Sequence, residues 1–202
     1  MIAKYNDSLS KRLLDLIGSL FGLVITAPLF VLISIAVVLF SGRPIFFLQK
    51  RIGKKGRVFK IIKFRTMILN ASKYQNKYKH LNESDGPVFK IYDDPRFTNV
   101  GKYLSRLGLD ELPQLINVLK GDMSLVGPRP LPVYEAKKLN SKYKKIREQV
   151  KPGMTSSWVI NGSHKLSFKE WMQLDKMYVE SSSFIRDIQI ILKTIGIIFR
   201  MN

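Results

Sequence analysis

LIGSLFGLVITAPLFVLISIAVVLF, residues 16–40, is a run of 25 residues without a charge, and Pro28 stands at its centre. As a straight helix it would measure about 37 Å, more than the roughly 30 Å hydrocarbon core of a bilayer requires. Proline removes a backbone hydrogen bond and presses its ring against the preceding turn. Pro28 therefore divides the run into two arms of 12 residues, about 18 Å each, and each reaches only partway across. Lys4, Lys11 and Arg12 precede the run; Arg43, Lys50, Arg51, Lys54, Lys55 and Arg57 follow it. The positive-inside rule assigns both flanks to the cytoplasm. Two arrangements answer to this: a re-entrant helix-break-helix that enters and leaves on one side, which the charges favour, and a single kinked span. In the first, backbone groups freed at the bend need partners, and Thr26 and Ser34 are the polar side chains within reach. The run is too long for a secretory signal peptide, and no small-residue cleavage site follows it.

Working outward, residues 1–41 form the membrane element, and residues 42–202 are enough for one cytosolic domain with its own core. Nothing suggests a second domain. The net charge is +19, and residues 41–82 carry twelve Lys or Arg and no Asp or Glu. Such a surface seeks anions. Next to a membrane anchor it meets anionic lipid head groups, at about 1 kcal/mol per basic residue near the surface. Nucleic acid is the poorer partner, because the basic stretch interleaves no stacked aromatic platform. The absence of cysteine excludes disulfides, iron–sulfur clusters and thiolate zinc sites. His80 and His164 lack metal-ligand spacing, so any metal is held by oxygen, which points to magnesium or manganese.

The fold class expected is α/β, mostly α with a short β-hairpin. Residues 45–49 and 58–64 read as strands around a turn at 53–56. Residues 67–81 read as a basic helix and 82–95 as a loop. Helical periodicity resumes at Val100; Leu109, Leu112, Leu115, Ile116 and Leu119 mark an amphipathic helix that ends at Gly121. Residues 127–132 break the chain, 134–150 read as a basic helix, and Pro152 and Gly153 as a turn. A last amphipathic helix covers 184–199, with Ile185, Ile188, Ile191, Leu192, Ile195 and Phe199 on one face. That stripe suits either core packing or the membrane interface, and offers a contact face for a homo-oligomer.

Asp110 and Glu111 are adjacent carboxylates among apolar neighbours, with Pro113 next and Arg129 held between Pro128 and Pro130. Acidic residues in a first helical turn are commonly dipole-stabilising caps. In so basic a chain, a carboxylate pair with a rigidly aimed arginine also suits phosphate and a divalent ion: carboxylate for metal or attack, guanidinium for phosphate oxygens.

The stretches FFLQKRIGKKGRVFKIIKFRTM (46–67) and LDELPQLINVLKGDMSLVGPRP (109–130) closely resemble the bacterial sugar transferase family, the monotopic phosphoglycosyl transferases. So do KRLLDLIGSLFGLVITAPLF near the start, DDPRFTNVGKYL from Asp93, KPGMT from Lys151 and LDKMYV from Leu174. The length looks like that of the minimal members. The resemblance implies transfer of a sugar-1-phosphate from a UDP-sugar to undecaprenyl phosphate, with magnesium, at the cytoplasmic face of the bacterial inner membrane. It makes Asp110 the nucleophile and a metal contact, with Glu111 assisting. Arg129, Lys63 and Arg65 become phosphate-binding residues, and Pro28 the helix-breaking proline, which favours the hairpin. This chain departs from the family pattern at several places. Ala27 replaces the serine before the breaking proline. Ser105 replaces an arginine that Arg106 would supply from the next position. Ser156, Trp158, Val159 and Ser163 stand where the family has glycine, alanine, glutamine and arginine, and Lys165 is a substitute for the lost charge. These departures leave a competing expectation, a membrane-tethered relative that holds lipid phosphate or a partner without turnover.

Overall fold

The computed structural model describes residues 4–162 and 166–200. The apolar run folds as one helix, α1 (Leu9–Ser41). Ser8 caps its start, accepting from Lys11 N at 3.2 Å, and Gly42, at φ 77°, ends it with its N–H on Val38 O at 3.1 Å. Helical structure carries on through Pro28, so the interruption expected there is not one of secondary structure. Thr26 and Ser34 also act differently from expectation. Proline frees the carbonyl of Val24, one turn back. Thr26 Oγ1 donates instead to Gly22 O (2.7 Å), and Ser34 Oγ to Phe30 O (2.7 Å). Back-bonding of this kind favours bending a helix.

Strands β1 (Phe46–Ile52) and β2 (Val58–Phe64) pair antiparallel as the pattern predicts, Phe46 opposite Phe64 and Ile52 opposite Val58. Residues 67–81 are not a helix; they form only the short 3-10 turns Ala71–Tyr74 and Lys79–Leu81. Their apolar residues trace no continuous stripe, and Asn70 sits at φ 58°, in the left-handed region. The long helix expected up to Gly121 is divided into α2 (Asn99–Arg106), a 3-10 turn Leu109–Glu111, and α3 (Gln114–Lys120). Gly108, at φ 68°, closes α2. Pro113 has no N–H to give Leu109 O, so Leu112 N closes the tighter ring onto it at 3.3 Å. Gly121 ends α3 as expected.

After β3 (Ser124–Val126), the basic helix expected at 134–150 is also two: α4 (Val133–Ala136) and α5 (Ser141–Arg147). Asn140 starts the second by accepting from Lys142 N at 2.9 Å. The turn expected at Pro152 and Gly153 is instead the entry to β4 (Gly153–Thr155), which runs parallel to β3 with Ser124 opposite Gly153. A Cβ on Gly153 would lie 2.0 Å from Gly127 N, so only glycine permits this approach. Helices α6 (Ser157–Ile160), α7 (Phe168–Ser181) and α8 (Phe184–Arg200) follow.

Both arms of α1 are fastened to this body. In the first arm, Lys11 is buried and its Nζ donates to Val126 O (2.9 Å), Tyr178 OH (3.2 Å) and Asp187 Oδ2 (2.5 Å). Arg12 donates to the carbonyls of Val118 and Leu119, which end α3 (both 2.8 Å). Asp15 accepts from Ser124 Oγ (2.8 Å) and Leu125 N (2.9 Å). In the second arm, Ile33 and Val37 are buried against Phe64 and Leu104, and Ser41 Oγ donates to Thr98 Oγ1 at 2.8 Å. Between the arms, Leu20, Phe21, Val24, Ile25 and Leu32 stay exposed. The stripe on α8 divides as well: Ile191 packs against the core beside the buried Ile190, which lies outside the stripe, while Ile185, Leu192 and Ile195 face outward.

Candidate active site

Lys63 stands near the end of β2, and Asp110 and Glu111 lie in the turn between α2 and α3. Lys63 Nζ reaches both carboxylates, 2.6 Å from Glu111 Oε1 and 3.5 Å from Asp110 Oδ2. Arg129 Nη2 closes the group at 3.2 Å from Glu111 Oε1. The segment carrying Arg129 is fixed from below by the β3–β4 pair: Gly127 N donates to Thr155 O and Gly153 N to Pro128 O, each at 3.0 Å. Arg147 then donates to the Arg129 carbonyl and pairs with Asp175. Lys63, Asp110, Glu111 and Arg129, all expected from the sequence, therefore form one cluster.

The two carboxyls differ sharply in environment. Burial raises the Asp110 carboxyl, against the pull of Lys63 and with help from Glu111. Burial would raise Glu111 too, but Lys63 and Arg129 outweigh it and hold that carboxyl well below the ordinary range. Adjacent groups pushed apart in this way have separate tasks. Lys63 and Arg129 favour the anionic form of Glu111, with which both pair, and Asp110 is the carboxyl that lines the cleft.

That cleft encloses about 860 Å³, within the range of small-molecule sites. Asp110, Lys63, Arg129 and Lys90 belong to its polar lining. Burial, with Arg129 nearby, brings the Lys90 ammonium down to about 8. Phe46, Phe47, Leu48, Ile68 and Leu69 belong to its apolar lining, and each keeps more than a third of its surface exposed. The apolar wall adjoins the second arm of α1, where Phe30 packs tilted on Phe46 and Phe64, at 5.9 and 4.7 Å between ring centroids.

Other residues singled out from the sequence take different places. Arg65, though it touches the cleft, sends its guanidinium to the carbonyls of Ser41 and Gly42, capping the end of α1. Arg106 pairs with Asp93 Oδ1 at 2.5 Å and stacks over Tyr92, while Ser105 is the neighbour that lines the cleft. Ser156 caps α6, accepting from Val159 N at 3.4 Å. Ser163, His164 and Lys165 lie outside the described residues. Sequence reasoning passed over Lys90, whose signal is a single lysine between Phe89 and Ile91 in a loop, and Arg147, which is hidden among the lysines of α5.

Among the described residues no three His, Cys, Asp or Glu side chains gather into a metal cage. The donor set fits a looser mode, in which magnesium keeps its waters and takes one carboxylate plus substrate phosphates. Asp110 is the carboxylate in position for that.

The family model for bacterial sugar transferase matches residues 6–201. Among curated relatives, the galactosyl transferase CpsE of Streptococcus agalactiae is 40% identical over 196 residues, which are 96% of this chain and 43% of that protein. The exopolysaccharide production protein ExoY of Sinorhizobium fredii is 37% identical over 191 residues, 93% of this chain and 84% of its own. The undecaprenyl-phosphate galactose phosphotransferase of Salmonella typhimurium is 35% identical over 209 residues, 100% of this chain and 43% of its own. The chain thus spans less than half of two of these relatives and most of the third. The match covers both arms of the apolar helix and the whole Lys63, Asp110, Glu111 and Arg129 cluster, and on that ground this chain belongs to the bacterial sugar transferase family.

Proposed function

We propose that this protein transfers a sugar-1-phosphate from a UDP-sugar to undecaprenyl phosphate at the cytoplasmic face of the bacterial inner membrane, the first step of a lipid-linked glycan. The observation that carries this reading is a cleft that brings together a carboxylate, phosphate-binding cations and exposed apolar side chains, next to the second arm of α1. A soluble, highly charged donor and a phosphate on a long lipid have to meet in such a place. The names of relatives, a UDP-galactose-lipid carrier transferase of Erwinia amylovora among them, support the same class of reaction.

In the mechanism we infer, Arg129 and Lys63 draw the diphosphate toward Asp110. A carboxylate oxygen of Asp110 attacks the β-phosphorus, the bond from that phosphorus to the bridging oxygen breaks, and UMP leaves with the electron pair. The acyl phosphate so formed carries the sugar. A phosphate oxygen of undecaprenyl phosphate then attacks the same phosphorus, forming the lipid diphosphate sugar and returning Asp110 as carboxylate. Asp110 would hold magnesium, which would supply neutralisation of the charge on the donor phosphates. Glu111 keeps Lys63 and Arg129 aimed throughout. The test is UMP release by nanodisc-held protein with magnesium, undecaprenyl phosphate and a panel of UDP-sugars. Release with one sugar that depends on the lipid is expected; silence across the panel overturns the reading.

The same reading makes α1 re-entrant. Lys11 and Asp15 at one end and Val37 and Ser41 at the other are bonded or packed to one body, which supports both ends lying on one side with the exposed middle in lipid. Because the chain contains no cysteine, single thiols report cleanly. Ser10→Cys and Arg43→Cys are expected to react with an impermeant maleimide only in inverted vesicles; labelling from opposite sides would make α1 a span.

A further inference from the structure

Trp158 is one of two tryptophans that line this cleft. It lies on α6 and stacks on Trp171 with ring centroids 4.6 Å apart and planes at 22°. The guanidinium of Arg129 lies over the Trp158 ring at 5.6 Å, and that of Arg147 over the Trp171 ring, also at 5.6 Å. Arg147 in turn pairs with Asp175 and donates to the Arg129 carbonyl. Arg129 is therefore gripped at two points, its backbone by Arg147 and its guanidinium by the indole. Glu111 engages only Nη2 of the fork, at 3.2 Å, and the side chain keeps 34% of its surface exposed.

A long, partly exposed arginine with a single ion-pair contact has many rotamers of similar energy, and a flat aromatic surface removes most of them. We infer that Trp158 is a positioning residue: resting on Trp171, it holds the Arg129 guanidinium at the angle in which it meets the diphosphate of the donor. The inference rests on the function proposed above. Substrate would meet Arg129 already oriented, so the indole acts on donor binding more than on the chemical step.

The experiment measures binding of magnesium–UDP, and donor KM and kcat, for nanodisc-held wild type, Trp158→Leu, Trp158→Phe, Arg129→Ala and the double variant Trp158→Leu/Arg129→Ala. Leucine keeps apolar contact with Trp171 but has no π face. It is expected to weaken UDP binding and raise KM by roughly tenfold with kcat changed less, while phenylalanine stays within about threefold of wild type. If the indole works through Arg129, the double variant binds no worse than Arg129→Ala alone. Equal losses for leucine and phenylalanine, or additive losses in the double variant, would overturn the inference. A wild type that binds no UDP, or binds it no better than Arg129→Ala, instead sinks the proposed function on which the inference stands.

Discussion

Asp110→Asn is expected to release no UMP above background, a fall of at least about 10³-fold in turnover. The substitution is nearly isosteric, and Glu111 keeps its contacts with Lys63 and Arg129 at 2.6 and 3.2 Å, so the site should remain assembled. What disappears is the nucleophile, because an amide oxygen does not form the acyl phosphate. The outcome is sharpened by trapping: wild type given labelled donor without lipid acceptor should retain label on protein, and the variant should not. Retained turnover above about a tenth of wild type would sink the covalent route and leave Asp110 a metal or orienting role. Membrane association should be the same in both proteins, since among the described residues none of the hydrogen bonds that fasten α1 involves Asp110.

Lys63→Met should have the next largest effect, a loss of about 10²-fold in kcat/KM with a displaced pH profile. Lys63 is the only side chain that pairs with both carboxyls among the described residues. Burial raises Asp110 and Lys63 is the main force opposing it. Without that cation the carboxyl protonates at higher pH than in wild type. The reaction needs the anion, so activity that falls away on acidification falls away sooner, and the acidic limb of the rate profile moves toward neutral pH. Methionine fills much of the lysine volume, which keeps the packing of β2 against the turn. A Lys63→Met enzyme with reduced rate but an unmoved acidic limb would mean that Lys63 contacts substrate without setting the state of Asp110.

The features that announced themselves in the sequence are those with long or local signals. The apolar run, the β1–β2 hairpin, Gly121 as the end of a helix, and the Asp110, Glu111 and Arg129 set are all legible there, the last strengthened by resemblance. Short-range interruptions were not. Pro113 divides one apolar periodicity into a 3-10 turn and α3 without disturbing the spacing of Leu109, Leu112 and Leu115, and it is this division that presents Asp110 and Glu111 from a turn rather than a helix. Asn140 does the same to the basic stretch by offering a cap in its middle. The β3–β4 pair joins three-residue strands that are 29 positions apart, Ser124 to Gly153, and three residues carry no periodicity to read. At Arg65 a further part was hidden: besides lining the cleft, its guanidinium donates to the carbonyls at the end of α1.

The bond between Lys11 and Asp187 joins positions 176 residues apart. A ribosome adding about 5–20 residues per second needs on the order of ten to thirty seconds between them. For that interval the apolar helix is already seeking lipid while the carboxylate that neutralises its buried cation has not been made. Until α8 is made, Lys11 has no carboxylate among its partners, so this anchorage of the helix is expected to close late in synthesis.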